Sequence, residues 1–230
     1  MMVVRKSSEP AEDIFRQLEP KQRAHIESQF QDRVYASGAI IHTPHDQSDQ
    51  LFLLRTGEVQ IYKRSPEERM LRLFVLAPVT IFGEITMRGH WNNFARAMTR
   101  CVIGHIERAV MQELLQTSPQ LALNVMQSMG QRLNEMESKL VDIAFKNVPQ
   151  RLAAVLINLA GVPPATARLA PASPPAIVRY THQQLAEIIG SYRETVTKTI
   201  GEFRERGMIR VEEDVIYLTD MEKLLELVQQ

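Results

Sequence analysis

The chain has 230 residues, enough for two modest domains with separate cores. Its 27 basic and 27 acidic residues cancel, with 17 of each in residues 1–145 and 10 of each in residues 146–230, so bulk charge excludes unspecific attraction to polyanions and any such recognition needs a local patch. One cysteine, Cys101, excludes an internal disulfide scaffold; the absence of a membrane-length apolar run or a signal-peptide core at the N-terminus leads to the expectation of a cytoplasmic protein with no membrane partner.

Residues 1–13 read as frayed, and Ile14 to Phe30 as one or two short amphipathic helices. From Arg33 to about Glu107 short apolar runs alternate with turn residues. Examples are Ala39–Ile41, Gln50–Arg55, Glu58–Lys63, Leu71–Leu76 and Cys101–Ile106, and Gly38, Pro44, Gly57, Pro66, Pro78 and Gly83 mark turns or strand ends. That spacing predicts an antiparallel β-barrel or jelly roll. Cys101 falls in an apolar run, which favours a buried inert thiol over a redox switch.

A helix is predicted over about 110–145. Within it Ala122, Met126, Met129, Leu133, Met136, Leu140 and Ile143 recur at spacings of four and three, the a/d pattern of a two-helix seam. The expectation is a homodimer interface; the alternative is a helix packed on its own β-domain. Asn147-Val148-Pro149 then starts a new helix, with Asn as N-cap and Pro in the first turn. The hinge is placed at Lys146, giving domains 1–145 and 146–230. Residues 161–176, rich in Pro and Ala, read as a surface loop, either a partner contact or a tolerated insertion.

Thr181 to Met208 reads as a helix-turn-helix. Leu185, Ala186 and Ile189 face the core from the first helix, and Val196, Ile200 and Phe203 from the second. Ala186 allows close crossing, and Gly190 supplies the positive φ of the turn. The second helix is expected over Tyr192 to Arg206 and presents Arg193, Glu194, Thr197 and Lys198 outward near its N-terminal end. In this motif that end enters the DNA major groove. Arg can pair with guanine O6 and N7, and a carboxylate can accept from cytosine N4. Arg179, Arg193, Lys198, Arg204, Arg206 and Arg210 form the local basic patch. An ordinary αα-hairpin with solvated charges is the bland alternative. Ile209–Val211 and Val215–Leu218 then predict a β-hairpin wing with an acidic tip, Glu212-Glu213-Asp214, and Thr219 is expected to cap a last helix over Asp220 to Val228.

The run Gly190-Ser191-Tyr192-Arg193-Glu194-Thr195-Val196-Thr197-Lys198 resembles the recognition helix of the Crp/Fnr transcription regulators, and Ala144 to Ala153 resembles their hinge and first DNA-domain helix. The resemblance implies an α+β chain: a jelly-roll sensor, a long dimerisation helix and a winged helix-turn-helix. It implies a regulator, not an enzyme, that binds double-stranded DNA as a homodimer at a palindromic TGTGA-like site, with RNA polymerase as a further partner if it activates. Arg193 and Glu194 would read bases, with Lys198 at base edges or phosphate. Thr181, Gln183 and Thr195 match positions that hold the DNA backbone, and Tyr192 stands where many members have Ser or Thr.

In the cyclic-nucleotide branch of that family a cassette grips the cyclic phosphate. It opens Phe-Gly-Glu and later has Arg followed by Ser or Thr. Here Phe82-Gly83-Glu84 keeps the opening, but the phosphate Arg falls on Trp91 and its partner on Asn92. Glu84 would accept from a ribose hydroxyl or, read plainly, cap nearby N–H groups. The adenine-reading Thr-Ser pair becomes Met136-Glu137. Gly83, Glu84, Arg88, Arg96, Met136 and Glu137 are therefore the candidate effector-pocket residues, with Arg88 and Arg96 as substitute cations in unmatched places. These departures argue against cyclic AMP, since a buried phosphate without its Arg loses a bond worth about 1.5–3 kcal/mol. One cysteine cannot hold an iron–sulfur cluster. Haem would need an axial His; His42, His45 and His90 are candidates without a matching motif. A cupin-like metal enzyme using His42, His45, Glu84 and His90 is the rival from another class, and no metal is expected. A ligand-independent DNA binder with a vestigial sensor is the second rival. The effector is left open.

Overall fold

The computed structural model describes residues 13–47, 49–83, 89–161, 176–178 and 180–229. The chain divides into two compact units, one formed mainly by Ser8–Lys63 and Arg72–Met136, the other mainly by Glu137–Gln230. The fold is α+β, with a β-sheet unit, a long helix and a helix-turn-helix unit, as expected.

The first unit opens with α1 (Pro20–Ser28) and eight strands: β1 (Gln31–Tyr35), β2 (Ile40–His42), β3 (Gln50–Thr56), β4 (Val59–Arg64), β5 (Met70–Leu76), β6 (Thr80–Phe82), β7 (Phe94–Ala97) and β8 (Cys101–Glu107). They form two four-stranded sheets, ordered β1-β8-β3-β6 and β2-β7-β4-β5. This is the jelly-roll arrangement, in which two sheets close over one core. Strands β1, β6 and β7 are not among the apolar runs singled out in the sequence, since each is short or carries charges that hide its alternation. Leu51, Phe52, Leu53 and Leu54 of β3 are all buried, so β3 is covered on both faces. Leu51 and Leu53 pack with Ile26, Ile106, Met111 and Leu121 on the helical side. Phe52 points the other way, stacking on Phe82 at 5.0 Å and meeting His105 edge-on at 5.0 Å.

The helix expected over about 110–145 is two helices, α2 (Arg108–Thr117) and α3 (Pro119–Phe145). Pro119 disfavours helical geometry at the residue before it, and Ser118 is accordingly extended at φ −126°, ψ 90°. Two stripes run along α3. Leu121, Asn124, Val125 and Ser128 are buried against their own unit, where Asn124 Nδ2 donates to the carbonyls of Ile14 (2.8 Å) and Arg16 (2.7 Å). The predicted seam is a different stripe: Met126, Met129, Leu133, Leu140 and Ile143 are exposed, Leu133 and Leu140 by 61% and 67%, while Ala122 and Met136 are partly buried. Packing on the helix's own β-unit and a free apolar stripe therefore coexist.

The second unit contains α4 (Val148–Leu159), β9 (Ala176–Val178), α5 (His182–Ile189), α6 (Arg193–Glu205), β10 (Ile209–Glu212), β11 (Val215–Leu218) and α7 (Met221–Gln229). Asn147 caps α4 in a reciprocal box: Gln150 N–H donates to Asn147 Oδ1 at 3.0 Å, and Asn147 N–H to Gln150 Oε1 at 2.8 Å. Leu152, Leu156, Leu185, Ile200, Phe203 and Leu224 are core residues. The wing pairs as predicted, Ile209 with Leu218 through Glu212 with Val215. It gains a third strand, β9, so Ala176 belongs to a sheet and not to the loop assigned over 161–176; residues 162–175 of that loop lie outside the described residues. Thr219 does not cap the last helix. Its hydroxyl donates to the Gly207 carbonyl at 2.8 Å, and Asp220 Oδ1 takes the capping bond from Lys223 N–H at 3.0 Å.

Candidate nucleic-acid interface and sensor cavity

The helix-turn-helix is built from cap and turn chemistry. Thr181 is the N-cap of α5 and forms a capping box with Gln184: Gln184 N–H donates to Thr181 Oγ1 (3.1 Å) and Thr181 N–H to Gln184 Oε1 (2.8 Å). Helix α5 ends on Gly190 at φ 66°, left-handed geometry that a Cβ would strain. Arg151 of α4 holds this corner, donating from Nε to the Ile189 carbonyl at 3.1 Å and from Nη1 to the Lys146 carbonyl at 2.7 Å. Leu185, Ala186, Ile189, Val196, Ile200 and Phe203 are all buried, the predicted core set.

Helix α6 begins at Arg193, so Tyr192 is its N-cap and not its first residue, and Arg206 is its C-cap. Tyr192 makes no side-chain cap bond and is half-exposed, which leaves the first-turn N–H groups open to an anion. Arg193, Glu194, Thr197 and Lys198 are exposed and Thr195 is partly buried. Thr197 is already engaged: its hydroxyl donates to the Arg193 carbonyl at 2.9 Å and lies 2.9 Å from His182 Nδ1. The sequence reading did not single out His182, whose signal is its place directly after the Thr181 cap. Lys198 Nζ sits 3.8 Å from Glu202 Oε1 with the lysine 80% exposed, a contact too solvated to hold it. Thr181 and Gln183 are exposed, Gln183 reaching Glu187 at 3.4 Å. Of the basic patch, Arg204, Arg206 and Arg210 are exposed, but Arg210 pairs with Glu212 at 2.7 Å and lies over Tyr217. Arg179 lies outside the described residues.

The first unit holds a cavity of about 80 Å³, lined by His42, Ile61, Phe74, Leu76, Phe82, Gly83, Trp91, Asn93 and Arg132. Trp91 is buried, stacks on His42 at 4.3 Å and tilts against Phe52 at 5.5 Å. Gly83 is at φ 117°, and a Cβ there would come within 3.2 Å of the Trp91 ring. Burial pushes the His42 imidazole down to about 4, so it is neutral at pH 7. His105, bonded to Gln50 (3.1 Å) and the Tyr35 hydroxyl (3.0 Å), is likewise pushed down to about 4, first by burial. Arg132 of α3 donates to the Ile81 carbonyl and, at 3.4 Å, to Ser128 Oγ; burial lowers it to about 10.

Among the described effector-pocket candidates, Gly83 lines this cavity and Arg96, Met136 and Glu137 do not. Arg96 sits opposite Gln60 in the β4–β7 register, donates to Gln60 Oε1 at 2.8 Å and lies over the Tyr62 ring. Met136 and Glu137 are not lining residues, because the helical position that reaches the cavity is Arg132, a turn earlier. Glu84 and Arg88 lie outside the described residues. Trp91 occupies the cavity wall, and Asn92 accepts a bond from Lys63 Nζ at 2.7 Å. The sequence reading placed Trp91 and His42 but missed their stacking, and it missed Arg132 because one cation between two apolar stripes looks solvated. Buried Cys101 Sγ lies 3.2 Å from the Glu58 carbonyl and 3.3 Å from that of Thr99. Among the described residues no group of three His, Cys, Asp or Glu is placed to hold a metal, His42, His45 and His90 included.

Residues 150–227 match the model of the Crp-like helix-turn-helix domain, and residues 32–118 that of the cyclic nucleotide-binding domain. Over 217 residues the chain is 27% identical to the CRP-like cAMP-activated global transcriptional regulator of Mycobacterium tuberculosis, covering 92% of this chain and 94% of that protein. It is 29% identical over 182 residues to the transcriptional regulator SdrP of Thermus thermophilus, covering 79% and 85%. The solved structure of the c-di-GMP responsive global regulator CLP of Xanthomonas campestris has the same fold, with a TM-score of 0.76 over 87% of this chain and 99% of that one at 20% identity. With a cyclic nucleotide-binding domain followed by a Crp-like helix-turn-helix, the chain belongs to the Crp/Fnr family of DNA-binding transcription regulators.

Proposed function

We propose that the protein is a cytoplasmic homodimer that binds a palindromic, TGTGA-like promoter site under the control of an effector other than cyclic AMP. The observation that carries the reading is the uncapped, exposed start of α6, with Arg193 and Glu194 in its first turn and Lys198 one turn on. Arg193 pairs with a guanine and Glu194 with a cytosine, Lys198 holds base edges or phosphate, and Thr181, Gln183, Tyr192 and Thr195 hold the backbone. The exposed α3 stripe pairs with that of a second copy, which sets two recognition helices on half-sites about 10–10.5 bp apart. The boundary between regulatory and DNA-binding domains falls at Lys146. If the protein activates, RNA polymerase is its next partner.

Against cyclic AMP stands the cavity's size. Pockets for nucleotide-sized ligands run to about 300–1,000 Å³, and this one, with Trp91 in its wall, holds about 80 Å³. The second reading, a binder that needs no effector, is favoured by the same filling.

The test is operator binding by the purified protein at fixed salt, with and without cyclic AMP. Millimolar cyclic AMP should change affinity by less than about threefold, and a large thermal shift on its addition contradicts the proposal. Arg193→Ala should cost about 1–3 kcal/mol per half-site and relax preference at one base position. If it weakens all single-base operator variants equally, Arg193 is a backbone clamp.

A further inference from the structure

His182 is the first residue of α5 and the only histidine in residues 146–230. It is partly buried between two exposed neighbours, Thr181 and Gln183, and its Nδ1 lies 2.9 Å from the Thr197 hydroxyl of α6. That hydroxyl donates to the Arg193 carbonyl one turn back along α6, also at 2.9 Å. A hydroxyl has one hydrogen, so Thr197 accepts from His182, and the imidazole carries its proton on Nδ1. Nε2 of the same ring has no partner among the described residues. In the neutral ring it is a bare lone pair, and in the imidazolium it is an N–H donor. The charged side chains around it come from three helices. Arg193, Glu194 and Lys198 flank Thr197 on α6 and are exposed. On α5 itself Glu187 is buried and takes a bond from the Gln183 amide at 3.4 Å. Arg151 of α4, which also packs on α5, is committed to the carbonyls of Lys146 and, at the opposite end of α5, Ile189.

The fixed tautomer ties the charge of this ring to the approach of a phosphate. A phosphate oxygen in front of Nε2 meets a lone pair when the ring is neutral and a charge-assisted donor when the ring is protonated. The start of a helix carries partial positive charge, so a cation there is favoured when an anion stands before it. We propose that DNA binding takes up a proton at His182: the imidazolium donates from Nε2 to a backbone phosphate and from Nδ1 to Thr197, and affinity rises as pH falls through the histidine range. The proton comes from solvent and returns to it on dissociation. The bond to Thr197 joins the ring to α6, so the phosphate contact and the reading face move together. The proposal deepens the reading of this motif as a DNA reader, with Thr181 and Gln183 beside His182 on the DNA backbone, and rests on it. His42 and His105, held near 4, do not change charge between pH 6 and 8, and His25, His45 and His90 lie outside the second unit.

The test is the affinity of the full chain for a duplex carrying the TGTGA-like palindrome, and for a scrambled duplex of equal length, between pH 8 and pH 6 at constant ionic strength. The wild-type protein should bind both duplexes on the order of tenfold more tightly per subunit at the lower pH. Its logarithmic salt dependence should steepen there by about one unit per subunit, because one more cation meets a phosphate. His182→Arg should keep the tight binding and the steep salt dependence at both pH values. His182→Asn, whose amide can still donate to Thr197, should keep the weak binding and the shallow salt dependence at both, which separates a phosphate contact from packing against α6. Wild-type affinity that ignores pH overturns the proposal, as does a wild-type pH profile retained in His182→Asn. Should the Asn variant fail to fold, the wild-type profile set against His182→Arg decides. The two duplexes keep the proposals apart. Equal binding to both with the pH profile intact keeps His182 and removes the sequence assignment, preference for the palindrome without a pH profile does the reverse, and binding to neither removes both.

Discussion

In the C-terminal unit the candidate functional side chains stand exposed on the first two turns of one helix, whereas in the β-sheet unit they are wholly or partly buried and come from β2, β6, α3 and the segment before β7. Arg193, Glu194 and Lys198 need only α6 to be presented correctly, and α6 is positioned by a cap, a glycine and six buried apolar residues. His42, Trp91 and Arg132 have no common face until the two sheets and α3 are assembled. The residue pattern of α6 therefore depends on caps and turns within its own unit, whereas the cavity depends on the assembly of segments far apart in sequence.

That contrast can be broken hardest at the seam. Leu133→Asp with Leu140→Asp places charge on the exposed α3 stripe; light scattering should show monomers, and tight operator binding should disappear while each unit keeps its fold. A double variant that stays dimeric removes the stripe from the interface.

Acid should act on one unit first. His42 and His105 are held near 4 in the folded state against an ordinary value of 6.5. The unfolded chain takes up their protons first as pH falls, so the stability present above 6.5 is lost progressively down to about 4. The slope is on the order of 1.4 kcal/mol per pH unit for each imidazole. Amide exchange followed from neutral pH to the acid end of that window should rise in β3 and β8 before it rises in α5 and α6. Simultaneous loss of protection in both units would contradict the assignment.

Thr181→Ala tests the other unit alone. Removal of the α5 cap should cost about 1 kcal/mol of stability in thermal melts and leave the Trp91 fluorescence unchanged. The smallest effect is expected from Lys198→Ala. If Lys198 holds only phosphate, the variant weakens all operator sequences alike and flattens the logarithmic salt dependence by about one unit per subunit. A change confined to one base position would make it a base reader instead.

The cap at Asn147, the turn at Gly190, the buried face of α5 and α6 and the pairing of the wing were all legible in the sequence. Each depends on residues within one or two turns of one another, where cap chemistry, positive φ and a repeat of 3.6 or 2 act directly. The split at Pro119 carried the same kind of local signal, but the heptad spacing of α3 masked it. Strand β9, Asp220 as the cap of the last helix and Gln60 as the partner of Arg96 depend on what lies across a sheet or beside a distant turn.

The sensor cavity is the extreme case. The sequence by itself, through its resemblance to the Crp/Fnr regulators, led only to the expectation that Trp91 stands where the phosphate-gripping Arg would fall and Met136-Glu137 where the adenine-reading pair would fall. Only the tertiary structure decided that Trp91 turns inward onto His42, that Arg132 donates to Ile81, and that about 80 Å³ is left between them. The reason is that a cavity is the space left when side chains from distant segments meet, and neither its volume nor its unpaired atoms has any counterpart in local spacing.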